Sequence, residues 1–219
     1  MSTGSGGRRP YRNDRRADAA AMTRETILGV ALRLFVEHGY AKVTISEIAR
    51  EAGTAVSTVY ASTGGKAAIL AVLMNRGVDD PIVERTLEAV RVATDARQAI
   101  EATAHGVRMD SERQLEIVQV MITAAAVEDG VAATLAQVAE ACRQALGVLV
   151  ARLQELGALR SGVGRERATD MLWFLFGLSS WRLFVAERGW SWDETERWLT
   201  DQAVAALLAE PDIASQSRG

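Results

Sequence analysis

The chain has 219 residues, 48% of them hydrophobic, and a formal net charge of −3, so it is large enough to bury a core. Its single cysteine excludes an internal disulfide, and its two histidines argue against a cysteine–histidine metal site. The most apolar run, residues 171–185, is shorter than the about 20 residues of a membrane-spanning helix, and the N-terminus lacks a signal-peptide pattern. We therefore expect a cytoplasmic protein without membrane association, metal ion or other cofactor.

Alanine, leucine, glutamate and arginine dominate the composition, and proline occurs three times, which predicts an all-α fold. The charge is divided unevenly along the chain. Residues 1–78 carry 11 Lys/Arg and 6 Asp/Glu, a balance of +5, whereas residues 79–219 carry 14 and 22, a balance of −8. A basic N-terminal third beside an acidic remainder predicts that the first part alone meets a polyanion.

Residues 1–22 combine small residues with a cluster of arginines, which predicts a disordered basic arm. The arginines are Arg8, Arg9, Arg12, Arg15 and Arg16. Such an arm is either a solubilising tail or a segment that contacts nucleic acid along phosphates or in the minor groove. A first helix is expected from Thr23, which can cap its start, to His38, where Gly39 ends it.

The following residues predict two short helices separated by a glycine. Thr44 to Glu47 has the form of a capping box, in which Thr44 starts a helix and Glu47 reaches back from its third position. Gly53 ends this helix, and the next is expected over about 55–61. Two short helices with a turn between them, behind a stabilising first helix, form a helix-turn-helix at about 44–63. Ordinary helical bundles contain the same spacing, so the spacing alone leaves both interpretations open.

The full motif is more specific than the spacing. The stretch AGTAVSTVYASTGGKAAIL (52–70), preceded by TISEIAREAG, resembles the signature of the TetR (tetracycline-repressor) family of transcriptional regulators. The matching residues are Thr44, Ile48, Ala49, Ala52, Gly53, Thr58, Tyr60, Lys66 and Leu70. The chain departs from the family pattern at Thr54-Ala55, where Val-Ser is usual, and at Ser62-Thr63, where Tyr-Phe is usual.

The resemblance implies a homodimer that binds a palindromic operator in double-stranded DNA and is released by a small-molecule effector, with repression the commoner sign. It also implies a set of DNA-binding residues. They are Thr44, Thr54, Ala55, Ser57, Thr58, Tyr60, Ser62 and Lys66. By resemblance, Thr44 and Lys66 contact phosphates. The second helix of the pair, at about 55–61, has no Arg, Asn or Gln that could form two hydrogen bonds with one base. We therefore expect DNA shape or the basic arm to supply part of the specificity.

Residues 23–78 are thus expected to form the helix-turn-helix domain, 79–210 a helical ligand-binding and dimerisation domain, and 211–219 a disordered tail. The helices of the ligand-binding and dimerisation domain are predicted near 81–93, 95–109, 112–127, 131–156, 165–188 and 191–209. Candidate pocket residues are His105, Met109, Met121, Trp173, Phe176 and Trp181, although helical spacing alone favours assigning them to the core or, for His105, to the helix surface. Candidate dimer-interface residues are Met171, Leu175, Leu178, Trp198, Val204 and Leu208.

Two other classes of protein remain as alternatives, an enzyme and a helical adaptor with a fortuitous helix-turn-helix. No close Ser/His/Asp or Cys/His set is visible, and Cys142 is expected to be buried packing, so we expect no catalysis. The glycines before Lys66 are not a phosphate-binding loop. That motif needs a glycine at position 60, where the chain has Tyr60, and a serine or threonine at position 67, where it has Ala67.

Overall fold

The computed structural model describes residues 9–78 and 80–209, whose regular elements are helices. They are α1 (Arg9–His38), α2 (Ile45–Glu51), α3 (Val56–Thr63), α4 (Lys66–Val78), α5 (Pro81–Val92), α6 (Ala96–Ala125), α7 (Asp129–Glu155), α8 (Arg165–Phe176), α9 (Leu178–Trp181) and α10 (Trp192–Leu207). A π-helical turn, Arg182–Glu187, continues α9, and one isolated bridge pairs Leu159 with Leu208. The predicted all-α fold class is confirmed.

The chain folds into two compact units. Unit 1 comprises the described residues up to Leu73 together with Val120–Ala132, and unit 2 comprises the described residues of Met74–Gln119 together with those from Ala133 to Ala209. The division differs from the expected boundary after residue 78, because α4 continues through that region without a linker. It also assigns the end of α6 and the start of α7 to unit 1, where Met121, Ala124 and Val131 are buried.

Unit 1 is built on apolar side chains that recur at helical spacing. The buried residues of α1 form one stripe, which contains Ile27, Leu28, Ala31, Leu34 and Phe35. Ile48 of α2 and Val59 of α3 are both completely buried. Full burial of such a side chain stabilises the fold by about 1.5–3 kcal/mol, so these two anchors hold the short helices in place.

The first helix is longer than predicted. α1 begins at Arg9, so residues 9–22 are helical and not a disordered arm, while Arg8 and the other residues of 1–8 lie outside the described residues. Thr23 is not an N-cap, because its hydroxyl donates to the carbonyl oxygen of Ala19 within the helix, at 2.9 Å. The reason is the alanine-rich run just before Thr23, since alanine has the highest helix propensity and an existing helix extends readily.

Unit 2 also differs from the predicted helix boundaries. The two helices expected at 95–109 and 112–127 form one 30-residue helix, α6. Asp110 and Ser111, at the expected break, are neither glycine nor proline, and both adopt the helical conformation. Conversely, the single helix expected at 165–188 is interrupted at Gly177, whose backbone is extended with φ −71° and ψ 171°. A Cβ atom at Gly177 would lie 2.3 Å from the carbonyl oxygen of Trp173, so the interruption requires glycine. The tail at 211–219 lies outside the described residues.

The core of unit 2 joins α5–α10. Its most buried members include Ile100, Leu149, Leu153, Leu172, Trp181 and Leu199. In the part of the chain that the structure describes, no single helix is long and apolar enough to cross a membrane. The segments 56–63 and 66–92 reach that length and composition only when they are taken together across a bend of 45°.

Candidate nucleic-acid interface and ligand cavity

α2 begins with the predicted capping box. The hydroxyl oxygen of Thr44 accepts a hydrogen bond from the backbone N–H of Glu47 at 3.2 Å, and the N–H of Thr44 donates to the Glu47 carboxylate at 2.8 Å. The backbone bond from Thr44, and then its side-chain bond, lower the pKa of Glu47. The Thr44 hydroxyl also donates to Glu47 at 2.9 Å. The hydroxyl of Thr44, a residue predicted to contact a phosphate, is therefore already engaged in the cap.

The turn between α2 and α3 depends on a glycine. Gly53 has φ +64°, in the left-handed region that L side chains rarely adopt. The N–H of Thr54 then donates back to the carbonyl oxygen of Ala49 at 2.9 Å, which closes the turn against α2. α3 starts directly afterwards, with Ala55 at its N-cap. Alanine has no polar side chain, so no capping group covers the first amides of α3.

α3 has one anchored face and one open face. Val59 is completely buried, and Thr63 is buried with its hydroxyl donating to the carbonyl oxygen of Val59 at 2.8 Å. The open face contains Ala55, Val56, Ser57, Tyr60 and Ala61. Tyr60 is 56% exposed, so it is not a core residue. Of the other predicted DNA-binding residues, Thr44 is exposed, whereas Thr54, Thr58, Ser62 and Lys66 are partly buried.

Lys66 makes contacts within unit 1. Its Nζ donates to the carbonyl oxygen of Tyr40 at 2.9 Å and lies 4.4 Å from the centroid of the Tyr40 ring. The Tyr40 hydroxyl in turn donates to Glu128 at 3.4 Å. Burial, followed by the nearby Glu128 carboxylate, raises the pKa of Tyr40 to about 12. Lys66 therefore joins the start of α4 to the loop after α1, and the phosphate contact predicted for it competes with this role.

Arg24 is a positioning residue that the sequence analysis did not single out. Its guanidinium donates to the carbonyl oxygen of Ser62 in the last turn of α3. The last carbonyl groups of a helix lack partners within it and carry the negative end of its dipole, so an arginine there is favourable. The two residues lie 38 positions apart, and no local pattern in the sequence signals such a contact.

Unit 2 contains a cavity of about 140 Å³. Three helices contribute most of its wall, each through one face with helical spacing. The α6 residues are Thr103, Gly106, Val107, Asp110, Ser111 and Gln114. The α7 residues are Val138, Ala141, Cys142, Ala145, Leu146 and Leu149. α5 contributes Ile82, Val83, Thr86, Leu87 and Val90. The spacing of these faces is visible in the sequence, but it does not show that they enclose a cavity.

Phe176 is the one predicted pocket residue that lines this cavity. His105 instead lies on the surface, with its Nδ1 3.2 Å from a Glu196 carboxylate oxygen, and Trp173 is 44% exposed. Met121 is buried in unit 1, Met109 is not part of the cavity wall, and Trp181 belongs to the core of unit 2. These five residues therefore do not line this cavity. His105 and Met109 each precede a cavity residue by one position, about 100° around the helix.

Asp110 is the charged side chain in the cavity wall. Its Oδ1 atom is buried and has no hydrogen-bond partner among the described residues. Burial, followed by the nearby Asp80 carboxylate, raises the pKa of Asp110 to about 6, and Arg113 opposes this shift. The Arg113 guanidinium is bound to Asp80 at 2.7 Å. Cys142 also lines the cavity, and burial with the Asp110 charge raises the pKa of its thiol to about 11.

Most residues predicted for a dimer interface face their own unit. Leu175 is buried, Leu178 lines the cavity, and three more pack against the core of unit 2, namely Met171, Val204 and Leu208. Trp198 is the predicted residue that is exposed. The other large apolar side chains exposed on this part of unit 2 are Trp173, Phe174 and Leu183, and Phe174 is 74% exposed. Apart from Trp198, the exposed apolar side chains of this region are therefore neighbours of the predicted interface residues and not those residues themselves.

The family model of the bacterial regulatory proteins, tetR family, matches residues 27–73, which include α2 and α3. Among curated proteins, none is similar enough in sequence to count as a relative. Several solved structures share the fold. NalD, the secondary repressor of the MexAB-OprM multidrug efflux pump in Pseudomonas aeruginosa, matches at a TM-score of 0.71 and 21% identity, over 89% of this chain and 100% of NalD.

Two further similar structures contain small molecules. SmeT is the repressor of the Stenotrophomonas maltophilia multidrug efflux pump SmeDEF. Its triclosan complex matches at a TM-score of 0.70 and 21% identity, over 86% of this chain and 93% of SmeT. A Saccharomonospora viridis protein described as a transcriptional regulator, in complex with choline, matches at 0.68 and 20% identity, over 87% of this chain and all (100%) of that one. The family model thus matches the helix-turn-helix segment of this chain, and the similar structures show that the chain has the fold of such regulators.

Proposed function

We propose that the protein is a repressor that binds a palindromic DNA operator as a homodimer and is released by a small molecule bound in the cavity of unit 2. The observation that carries the DNA-binding part is the open face of α3. Tyr60 and Val56 are exposed on this helix although Val59 anchors its opposite face in the core. A helix held in this way presents an outward surface to the major groove.

The chemistry of the open face suits contacts with both bases and backbone. Ser57 and Tyr60 carry hydroxyl groups for hydrogen bonds, while Ala55, Val56 and Ala61 offer small apolar groups that fit thymine methyls. The uncapped first amides of α3 and the Thr44 end of α2 are the proposed phosphate contacts. We propose smaller contributions to DNA binding from four partly buried residues, namely Thr54, Thr58, Ser62 and Lys66.

The basic start of α1 is proposed as an additional DNA contact. Arg15 and Arg16 are exposed on this helix, in line with the positive balance of the N-terminal third. Phosphate contacts of this kind add affinity for any sequence and fall off steeply with salt. Replacement of both arginines is therefore expected to weaken binding to all DNA alike and to reduce its salt dependence.

A homodimer is supported by the exposed apolar side chains of unit 2. Trp173, Phe174, Leu183 and Trp198 are exposed on or near α8 and α10. Large exposed apolar groups on a single chain mark an interaction surface. Two-fold symmetry is the commonest oligomeric arrangement, and it matches the symmetry of a palindromic operator.

The proposed release mechanism is a population shift. α6 lines the cavity up to Gln114, and its last residues, 120–125, belong to unit 1. A ligand that binds one arrangement of α6 more tightly than another favours that arrangement in the whole protein. Coupling of this kind typically changes affinity by about 5- to 150-fold. The choline and triclosan complexes of similar structures support a small-molecule effector, and we propose no catalytic activity.

The experiment that tests this proposal is selection of binding sites from random duplex DNA with the purified protein, followed by mobility-shift titration of the enriched site. We expect a palindromic sequence, and we expect Tyr60→Ala to weaken its binding at least about tenfold. Met22→Ala is the control, because Met22 is an exposed apolar residue on α1. Equal affinity for enriched and random DNA at the same salt concentration would refute the proposal.

A further inference from the structure

The cavity of unit 2 combines an aliphatic wall with a single charge. Among the described residues that line it, Asp110 is the only charged side chain, and no lysine, arginine or histidine accompanies it. Arg113, which is nearby, is held by Asp80 at 2.7 Å and is not part of the wall. The Asp110 Oδ1 atom is buried without a hydrogen-bond donor among the described residues. A buried acceptor in this state is unfavourable until a donor reaches it.

Two hydroxyl groups in the wall are also arranged as acceptors. Thr86 donates its hydroxyl proton to the carbonyl oxygen of Ile82 at 2.8 Å, and Thr103 donates its proton to that of Ala99 at 2.9 Å. A hydroxyl has one proton to donate and two lone pairs. Each threonine therefore presents only lone pairs to a molecule inside the cavity. Asp110, Thr86 and Thr103 together favour a ligand that donates hydrogen bonds.

The dimensions of the cavity limit the size of its ligand. A cavity of about 140 Å³ is close to the engineered apolar cavities, about 150 Å³, that bind benzene. Close packing of α5 on α6 keeps the space small, since a Cβ atom at Gly106 would lie 2.0 Å from the Thr86 hydroxyl oxygen. The ligand that fits is about the size of one ring or a short alkyl chain.

We infer that the cavity of unit 2 binds a small hydrophobic ammonium ion, whose positively charged N–H group pairs with Asp110 while its apolar part contacts the aliphatic wall. The role of this ion as the effector rests on the proposed function, whereas its binding does not. The carboxylate supplies the charge that selects a cation, and the Thr86 hydroxyl oxygen, which lies against Gly106 one helical turn from Asp110, is placed to accept a remaining N–H group. An anion of the same size is excluded by repulsion from Asp110 in a low-dielectric wall.

The test compares three probes of similar shape and different charge. Benzylammonium, benzyl alcohol and benzoate are titrated at pH 7.5 into the full chain without DNA, by calorimetry. We expect benzylammonium to bind at least about tenfold more tightly than benzyl alcohol, since charge-assisted hydrogen bonds exceed neutral ones, and benzoate not to bind. Absence of benzylammonium binding, or equal affinity for benzyl alcohol, would overturn the inference.

Variants locate the site. Asp110→Asn keeps the shape of the side chain and is expected to bring the affinity ratio of benzylammonium to benzyl alcohol close to one. The matched control is Asp201→Asn, which removes an exposed carboxylate on α10 and is expected to leave the ratio unchanged. Thr86→Val is a second, shape-preserving variant that is expected to weaken benzylammonium more than benzyl alcohol. An unchanged ratio in Asp110→Asn would place the cation elsewhere and refute the inference.

Failure of the inference is distinguishable from failure of the proposed function. The calorimetric ratios are measured without DNA, so they do not depend on operator binding. If benzylammonium binds through Asp110 but leaves the protein on its operator, the ligand class is supported and the proposed release is wrong. If the operator is bound and benzylammonium shows no preference over benzyl alcohol, the ligand class is wrong and the DNA-binding proposal is unaffected.

Discussion

The ammonium group of Lys66 donates to the carbonyl oxygen of Tyr40 and lies over the ring of the same residue, 4.4 Å from its centroid. This one side chain thereby joins the first turn of α4 to the loop between α1 and α2. Lys66, which matches the family motif and is predicted to contact a phosphate, thus also stabilises a contact within unit 1. The two roles make different predictions, which stability and salt dependence separate.

Lys66→Met is expected to destabilise the protein by about 1–2 kcal/mol, because it removes a charged hydrogen bond and a cation–π contact. Urea denaturation measures this loss. Lys42→Met is the control, since Lys42 is an exposed lysine of the same unit. Unchanged stability in Lys66→Met, together with a salt-dependence slope of operator binding reduced by about one, would instead assign Lys66 to phosphate binding alone.

Arg24→Met is expected to weaken operator binding although Arg24 is a positioning residue. Loss of its bond to the Ser62 carbonyl frees the last turn of α3, at a cost of about 1 kcal/mol in stability. We expect operator affinity to fall by about tenfold in mobility-shift titrations, with partial recovery in Arg24→Lys. Arg33→Met, which removes exposed ion pairs with Glu37 and Glu51, should have a much smaller effect.

Thr44→Ala is expected to destabilise the protein by about 1 kcal/mol, because it removes the hydroxyl that caps α2. Ser46→Ala is the control, since Ser46 is exposed within the same helix and alanine is the better helix former. Thermal melting compares the two variants. Because the pKa of Glu47 is lowered by its bonds to Thr44, its contribution is present at neutral pH and is lost as pH falls through the folded-state pKa. A difference between Thr44→Ala and wild type that does not shrink in acid would contradict this.

Asp110 is expected to make stability and ligand binding depend on pH in opposite directions. Its pKa in the folded protein is raised from 3.8 to about 6, so the unliganded protein loses stability as pH rises between these values. Asp110→Asn should therefore be more stable than wild type at pH 7, by an amount on the order of 2 kcal/mol, and the difference should vanish below about pH 4.

Binding of benzylammonium to the wild type should strengthen as pH rises through about 6, where Asp110 ionises, and level off above it. The other groups near this carboxyl are Asp80, whose charge raises its pKa, Arg113, which opposes that effect, and the Cys142 thiol. The thiol stays protonated in this range because its pKa is about 11. Calorimetry from pH 5 to 8 measures the profile, and a pH-independent affinity would contradict the assignment to Asp110.

Phe174→Glu is expected to convert the proposed dimer into a monomer, since it introduces a charge on the most exposed apolar side chain of α8. Light scattering after size-exclusion chromatography measures the mass. Val92→Glu is the control, because Val92 is an exposed apolar residue at the end of α5. A monomeric wild-type protein, or an unchanged dimer in Phe174→Glu, would exclude this surface as the interface.

The local features of unit 1 were predictable from the sequence. The Thr44–Glu47 capping box and the turn at Gly53 depend on residues a few positions apart, whose hydrogen bonds and backbone angles the local sequence dictates. The buried face of α3 follows in the same way from the position of Val59. The start of α1 does not follow from the capping preference of Thr23, because the helix propensity of the alanines before it extends the helix to Arg9.

The tertiary structure alone decided the contacts that join distant parts of the chain. Helical spacing identifies an apolar face but not the neighbour that covers it, so it does not show that Met121 and Trp173 lie outside the wall of this cavity. The same holds for Arg24 on Ser62 and for Lys66 on Tyr40, since each pair is separated by 26 positions or more. The charge of the cavity likewise depends on packing, because the surrounding helices leave the Asp110 Oδ1 atom without a hydrogen-bond donor among the described residues. By itself the sequence determined the match to the family motif, the all-α fold and the position of α3. The packing of the helices determined where the cavity lies and where the charge of Asp110 is placed in its wall.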